Sequence, residues 1–117
     1  EHSDFNKDET ILDDETMKAF RESSELQDRL LRSYDIMLSF LELKIDGNKV
    51  VRTGDPLHWL TWKNHNFRRL TRILRCLTLL GLRPFAEALR DCLTDIYVDN
   101  PVLIDENTMQ YWKEAIQ

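Results

Sequence analysis

The chain has 117 residues, 42% of them hydrophobic and 32% charged, with a net charge of −5 and only three glycines and three prolines. This length and composition are typical of one ordered globular domain with a hydrophobic core. No uncharged apolar run approaches the roughly 18 residues that a membrane span needs. The polar, acidic amino terminus does not resemble a signal peptide, and Cys76 and Cys92 are expected to be buried, reduced thiols. We therefore expect an intracellular protein.

The amino-terminal part of the sequence predicts two helices. Residues 1–11 show no periodicity and are expected to form an irregular lead-in. Asp13 suits a helix cap, because acidic residues fill the turn that follows, and this short helix is expected to end near Glu22. Ser24 begins a capping box, and apolar residues then recur every three or four positions to about Leu41, which indicates a longer amphipathic helix.

The next segment predicts a turn-rich connection. Residues 43–52 alternate between apolar and polar types around a turn at Gly47, a pattern that favours a small hairpin or an extended loop. Asp55 is a potential cap, and Pro56 after it predicts a short helix that reaches Leu60.

The carboxyl half predicts three further helices. The first spans about 64–80 and is ended by Gly81, the second spans about 83–97, and the third is capped by Asp105. No internal repeat and no low-complexity linker interrupts the chain. The sequence therefore predicts an all-α fold, a compact single-domain bundle of five to six helices over residues 1–117.

Charge is strongly segregated along the chain. Residues 1–55 hold 14 acids and 8 bases, and residues 87–117 hold 7 acids and 2 bases, whereas residues 56–86 hold 6 bases and no acid. Four of those bases are arginines within the eight residues from Arg68 to Arg75. The basic middle of an acidic chain is therefore the first candidate for a functional surface.

A helical wheel places these arginines opposite the apolar residues. At about 100° per residue, one side of the helix collects Phe67, Leu70, Ile73, Leu74 and Leu77, and the other collects Arg68, Arg72 and Arg75, with Arg69 on the flank. The next helix carries an acidic row, Glu87, Asp91 and Asp95, which also lies opposite its own apolar residues. Direct pairing of the two rows is therefore not expected.

The arginine-rich face has three interpretations at this stage. It is an ordinary solvated face, a docking surface for an acidic partner, or a contact for nucleic acid. Nucleic acid is disfavoured because the isoelectric point is about 5.2, far below the values usual for domains that bind it. Guanidinium groups bind carboxylate and phosphate through paired hydrogen bonds, so arginine suits either kind of anionic partner.

No catalytic or metal-binding constellation emerges from the sequence. The motifs of nucleotide-binding loops, zinc proteases and serine hydrolases are absent. His58 and His65 lie near each other in the chain, but residues 56–86 contain no carboxylate that would complete an acid–base pair or a metal site. We therefore expect no enzymatic activity, no metal and no cofactor.

The three tryptophans, Trp59, Trp62 and Trp112, are expected to be core anchors. An aromatic-lined peptide groove beside the arginines is the alternative. Asn64 is expected to cap the basic helix, with His65 in its first turn.

Several stretches of the sequence match, in order, the motifs of one known family. The run Arg32-Ser33-Tyr34-Asp35-Ile36-Met37-Leu38-Ser39-Phe40 resembles its R-x-Y-x-x-M-L-x-F helix, and Asn64-His65-Asn66-Phe67-Arg68-Arg69-Leu70-Thr71-Arg72-Ile73-Leu74 resembles its H-N-x-L-R-I-T-R-I-L segment. Leu79-Leu80-Gly81-Leu82 is similar to the L-G-L that follows. Phe5-Asn6 and Leu12-Asp13-Asp14-Glu15 look like the lead-in of microbial and fungal members. The family is that of the opioid growth factor receptor conserved region.

The resemblance carries expectations about organisation and role. The family domain normally begins earlier, with a helix and a Q-W-L-F-P element, so we expect a truncated or shortened, microbial- or fungal-like member without that amino-terminal part. In animals the resemblance implies a receptor for an endogenous opioid pentapeptide, present in cytoplasm and nucleus and linked to growth restraint, and not a seven-helix membrane receptor. The family has no established catalytic or peptide-contact residues.

The combined prediction is a non-enzymatic binding domain. Arg68, Thr71 and Arg72 match the family motif, Arg75 extends the same face, and His65 and Trp62 lie nearby. These six residues are expected to bind a peptide or protein with anionic groups. The alternative is a structural or scaffold domain whose arginine-rich face packs on a missing amino-terminal segment or on another subunit.

Overall fold

The structure, a computed structural model, describes residues 14–54, 57–61 and 65–116. Within them the chain forms five helices and one two-stranded sheet, so the predicted helical bundle with a small hairpin is confirmed. In chain order the elements are α1 (Asp14–Glu22), α2 (Ser24–Phe40), β1 (Leu43–Asp46), β2 (Lys49–Arg52), α3 (Asn66–Leu79), α4 (Arg83–Asp99) and α5 (Glu106–Glu114). The predicted lead-in over residues 1–11 and the predicted caps Asp13 and Asn64 lie outside the described residues.

Side-chain caps fix where two of the helices begin. Ser23, at the N-cap of α2, accepts a hydrogen bond from the backbone N–H of Leu26 at 3.2 Å. The prediction of Ser24 as this cap is wrong by one residue, because the oxygen that reaches the third helical N–H belongs to Ser23. Asp105 caps α5 as predicted, with its carboxylate accepting from the N–H of Thr108 at 2.8 Å. Each such cap is worth roughly 1 kcal/mol.

The two strands form an antiparallel hairpin that packs on α4. Ile45 pairs with Val50, and Leu43 pairs with Arg52. Leu43 and Val50 are buried, which gives the hairpin one apolar side. Asp99 of α4 forms an ion pair with Arg52, with 2.9 Å between Nη2 and Oδ2. Because both side chains are partly exposed, this ion pair contributes at most about 1 kcal/mol. Burial therefore does most to hold the hairpin in place.

A three-residue corner around Gly81 joins α3 to α4. Leu80 closes α3, and Gly81 follows with φ of +89°, in the left-handed region. The N–H of Leu82 then donates to the carbonyl of Leu77 at 2.8 Å, the six-to-one bond of a Schellman motif. The predicted end of this helix is confirmed. α4 continues to Asp99, slightly beyond its predicted end.

α4 lies at the centre of the fold and contacts α3, α5 and β2. Its fully buried residues are Ala86, Leu89, Leu93 and Ile96, which join Leu70 and Leu74 of α3 in one hydrophobic core. From α5, the fully buried Trp112 donates its indole N–H to the carbonyl of Phe67 at 3.1 Å. The apolar side of α3 therefore packs against the rest of the protein, with Ile73 partly buried beside the core.

The segment before α3 forms a turn and not the predicted short helix. Residues 57–60 are closed by a hydrogen bond from the N–H of Leu60 to the carbonyl of Leu57 at 3.2 Å, and no helix lies within residues 57–61. Trp59 in this turn is tied back to the end of α2, because its indole N–H donates to the carbonyl of Leu41 at 2.6 Å. Asp55 and Pro56 lie outside the described residues.

Leu74→Ala should lower the free energy of unfolding by roughly 2–5 kcal/mol, because Leu74 is fully buried and its truncation leaves a cavity. Leu79→Ala is the matched control on the same helix, since Leu79 is 39% exposed, and it should cost under about 0.5 kcal/mol. Urea denaturation followed by circular dichroism measures both. Equal costs would mean that α3 faces the core with a different side.

Gly81→Ala should destabilise the fold more than Gly47→Ala. Both glycines have positive φ, +89° and +66°, so alanine is strained by roughly 1–2 kcal/mol at either position. Only at Gly81 would the added methyl group meet neighbours, with Cγ of Arg21 at 2.8 Å and Nε2 of Gln27 at 2.9 Å, whereas Gly47 has nothing within 4 Å. Thermal melts compare the two variants. A larger loss for Gly47→Ala would contradict this account of the corner.

Candidate functional site

α3 presents three arginines on the side opposite the core. Arg68, Arg72 and Arg75 are exposed, while Leu70 and Leu74 on the other side are fully buried. The predicted orientation of this helix is therefore confirmed. Spacings of four and three residues place the three guanidinium groups in one line that extends about 10 Å along the helix. We call these three residues the arginine row.

Two members of the arginine row have no ionic partner in the part of the chain that the structure describes. No carboxylate there forms an ion pair with Arg68 or Arg75. Arg72 interacts with another group of the chain. On the flank, Nη1 of Arg69 donates to Oδ1 of Asn66 at 3.4 Å. The positive charge available to a partner therefore comes chiefly from Arg68 and Arg75.

The acidic row of α4 does not neutralise the arginine row. Nε of Arg83 donates to Oε2 of Glu87 at 3.1 Å, and Nη2 of Arg90 donates to Oδ1 of Asp91 at 3.0 Å, so two of these acids are paired within α4. Between residues that the structure describes, no ion pair joins α4 acids to α3, in agreement with the wheel analysis. The two charged faces remain separate.

The other predicted site residues differ in position and in hydrogen bonding. Thr71 is half-buried, and its hydroxyl donates to the carbonyl of Phe67 at 3.1 Å, so its proton is committed to the helix. His65 is exposed at the N-cap of α3, one position before the helix and not in its first turn as predicted, and its ring makes no capping hydrogen bond. Trp62 lies outside the described residues. The structure therefore places His65 at the N-cap of the helix that carries the arginine row.

The described tryptophans form part of the core. Phe67 lies between Trp59 and Trp112, with edge-to-face ring contacts at centroid distances of 6.4 Å and 5.7 Å. Both indole N–H groups donate hydrogen bonds, that of Trp59 to the carbonyl of Leu41 and that of Trp112 to the carbonyl of Phe67. Trp112 is fully buried and Trp59 is partly buried. These two rings therefore anchor the core as predicted, and they do not line a peptide groove beside the arginine row.

Glu42 anchors the turn that leads into α3. Its carboxylate accepts the backbone N–H of His58 at 2.6 Å and lies 2.9 Å from Nδ1 of the same residue. These hydrogen bonds, the backbone one above all, lower the pKa of Glu42 below its ordinary value of 4.5. The backbone of Glu42 has φ of +57°, which is uncommon outside glycine and marks a sharp corner after α2. This corner fixes the turn that carries Trp59.

Both thiols are free, as predicted, although Cys76 is only half-buried. Burial raises the pKa of Cys76 and raises that of Cys92 to about 11. Neither is therefore an activated nucleophile near neutral pH. Within the described residues, no group of three or more His, Cys, Asp or Glu side chains is placed to hold a metal ion.

The structure shows a second group of cations that the sequence analysis missed. Arg83 and Arg90 of α4 and Lys113 of α5 line an open cleft of about 430 Å³, together with Thr94 and Ile116. We call this feature the basic cleft. Its cations come from two helices and alternate with acids along the chain, so no basic run marks them. The one sequence signal is the seven-residue spacing of the two arginines, which places them on the same side of a helix.

These features define a helical domain that displays cationic surfaces on a well-packed core. Among the described residues, no helix is both long enough and apolar enough to cross a membrane. A family model described as the Opioid growth factor receptor (OGFr) conserved region matches residues 2–117. The chain belongs to this family, as the sequence motifs indicated.

Known relatives resemble the chain at moderate identity. The opioid growth factor receptor of Homo sapiens is 35% identical over 75 residues, which is 59% of this chain and 11% of that protein. The opioid growth factor receptor of Mus musculus is 28% identical over 109 residues, 86% of this chain and 17% of that protein. The opioid growth factor receptor-like protein 1 of Mus musculus is 30% identical over 109 residues, 86% of this chain and 23% of that protein. The chain thus spans less than a quarter of each relative, and no solved structure matches it significantly.

The Glu42 anchor should make stability depend on pH in the acid range. Because the pKa of Glu42 is lowered in the folded protein, its contribution is fully present above about pH 4.5 and is lost as the pH falls through the lower folded value. The stability difference between wild type and Glu42→Gln should therefore be larger at about pH 5.5 than at about pH 3. Urea unfolding at both pH values measures it.

His58→Ala separates the two hydrogen bonds of this anchor. The variant keeps the backbone N–H, which is the main cause of the lowered pKa, and loses the ring. It should retain most of the acid-range pH dependence that Glu42→Gln removes. If His58→Ala abolishes that dependence as fully as Glu42→Gln does, the ring and not the backbone holds the carboxylate.

Proposed function

We propose that this domain is a non-enzymatic binding module that docks an acidic peptide or protein segment on the arginine row. The observation that carries the proposal is the outward position of Arg68 and Arg75, which have no ionic partner among the described residues. An exposed guanidinium without a carboxylate keeps its full set of donors for a ligand. Paired N–H groups bind a carboxylate or phosphate in a fixed geometry, which gives such a surface directional preference.

The spacing of the row defines the ligand more closely. Arg68 and Arg75 are seven residues apart on a helix, which separates their Cα atoms by about 10 Å. A peptide in the extended polyproline II conformation, with three residues per turn and about 3.1 Å per residue, covers about 9 Å in three residues and presents side chains i and i+3 on the same side. The best partner is therefore an extended segment with carboxylates at positions i and i+3. His65, one turn before Arg68, lies at the end of the row where a terminal carboxylate or a polar side chain of the ligand would be placed.

The names of the relatives support a role in peptide recognition. The relatives of Homo sapiens and Mus musculus reported first are named opioid growth factor receptor, and the proposal extends ligand binding of this kind to this chain. The raised pKa values of Cys76 and Cys92, which leave neither thiol an activated nucleophile, support a binding module over an enzyme. We also propose an intracellular location, which the free thiols support.

A second candidate function is a scaffold whose charged and apolar surfaces pack on another part of a larger protein. The observation that favours it is the exposure of Ile36 and Phe40, 61% and 79%, on one side of α2. Two large apolar side chains at this spacing are typical of a surface that is covered in an assembly. On this account the arginine row contacts a neighbouring segment and not a free peptide.

Charge reversal tests the proposed function directly. Arg68→Glu/Arg75→Glu should weaken binding of a fluorescent extended peptide with glutamates at i and i+3 by about tenfold or more. Arg29→Glu/Arg32→Glu on α2 is the matched control, because it makes the same change of net charge at two exposed arginines outside the site. Fluorescence anisotropy gives the affinities, and circular dichroism checks the fold of each variant.

The same assay distinguishes the alternatives. A peptide with the same composition but adjacent glutamates should bind more weakly, and unlabelled opioid growth factor should displace the fluorescent peptide if the chain shares the role that names its relatives. Equal losses of affinity in the α2 control and the α3 variant would show that net charge alone, and not the arginine row, determines binding. If the wild type binds no acidic peptide and only nucleic acid, with affinity that falls steeply with salt, the peptide proposal is wrong.

A further inference from the structure

The basic cleft lies between α4 and α5, away from the arginine row of α3. Arg83, Arg90 and Thr94 form its α4 wall, and Lys113 and Ile116 form its α5 wall. Its volume of about 430 Å³ falls in the range of small-molecule sites and is small for a peptide docking surface. The cleft is open to solvent on one side, so a ligand has direct access.

The α4 wall follows from helix periodicity. Residues 83, 90 and 94 are separated by seven and four positions, so their side chains leave one side of the helix. Arg90 is held close to the protein, with its side chain 32% exposed, and Thr94 is half-buried below it. Lys113 approaches from the last turn of α5. Three cations from two rigid helices therefore converge on one small volume.

The carboxylates next to the cleft leave many of these donors unused. Glu87 accepts a hydrogen bond from Nε of Arg83 at 3.1 Å. Asp91 accepts hydrogen bonds from Nε and Nη2 of Arg90 at 3.2 Å and 3.0 Å. A guanidinium has five N–H bonds, so each arginine keeps donors for a further acceptor. Lys113 has no ionic partner among the described residues. The cleft therefore has more donors and positive charge than its own acids satisfy.

We infer that the basic cleft binds a phosphoryl group. A phosphate dianion has oxygens in three or more directions, so it can accept hydrogen bonds from Arg83, Arg90 and Lys113 on both walls at once, whereas a planar carboxylate is matched by one guanidinium. Its charge is attracted to the net positive charge that remains once Glu87 and Asp91 are counted against the three cations. The buried Ile116 gives the floor an apolar contact for the carbon atoms of a phosphate ester.

Inorganic pyrophosphate is the first probe, titrated at constant ionic strength into isotopically labelled protein and followed by NMR. Residues of the cleft should shift with a dissociation constant below about 1 mM, and the melting temperature should rise with ligand concentration. Lys113→Gln and Arg83→Gln should each weaken binding about fivefold or more. Arg29→Gln, which removes the arginine of another exposed i, i+4 pair with a glutamate, should leave binding unchanged.

Two further measurements decide the source and the location of the phosphate. A phosphoserine peptide that binds more tightly than pyrophosphate identifies a phosphorylated protein as the ligand, and the reverse order identifies a free phosphate ester. Arg68→Glu/Arg75→Glu should retain pyrophosphate binding, so loss of acidic-peptide binding there leaves this inference standing. No binding at about 10 mM, equal binding by wild type and Lys113→Gln, or loss only in the α3 variant would overturn it.

Discussion

The packing of α3 against α4 is the constraint on which the surface of this domain depends. Leu70 and Leu74 of α3 and Leu89 and Leu93 of α4 are all fully buried in the same core. A helix has one apolar side, and once that side is used the opposite side must face outward. The arginine row is therefore exposed because the leucines behind it are buried. Any change that rotated α3 would move charge and core together.

The same reasoning explains how much of the fold the sequence predicted. Periodicity and terminators located the five described helices because the signals were local: Gly81 ends α3, and Asp105 caps α5. The cap of α2 was misplaced by one residue, because adjacent serines carry the same local signal. Residues 57–60 form a turn and not a helix, and the side chain of Trp59 in this turn is held by the carbonyl of Leu41, a contact that no local pattern reveals.

The candidate site shows the same difference between local signals and contacts that depend on the tertiary structure. The outward position of Arg68 and Arg75 was predictable, since a helical wheel needs only spacing. The loss of Thr71 as a donor was not, because its hydroxyl turns back to the carbonyl of Phe67. The basic cleft was also missed, since Arg90 and Lys113 meet only after α5 packs beside α4. Sites on a single helix can be predicted from a sequence, whereas sites built by two helices require the tertiary structure.

The short corner at Gly81 also bears on the order in which the molecule assembles. Only three residues separate α3 from α4, so bringing these helices together restricts little chain and costs little loop-closure entropy. By contrast, the hydrogen bond from Tyr34 to the carbonyl of Phe85 joins positions 51 apart. Contacts that are local in sequence tend to form early in folding. Pairing of α3, which carries the arginine row, with α4 therefore requires less loop closure than the docking of α2 onto α4.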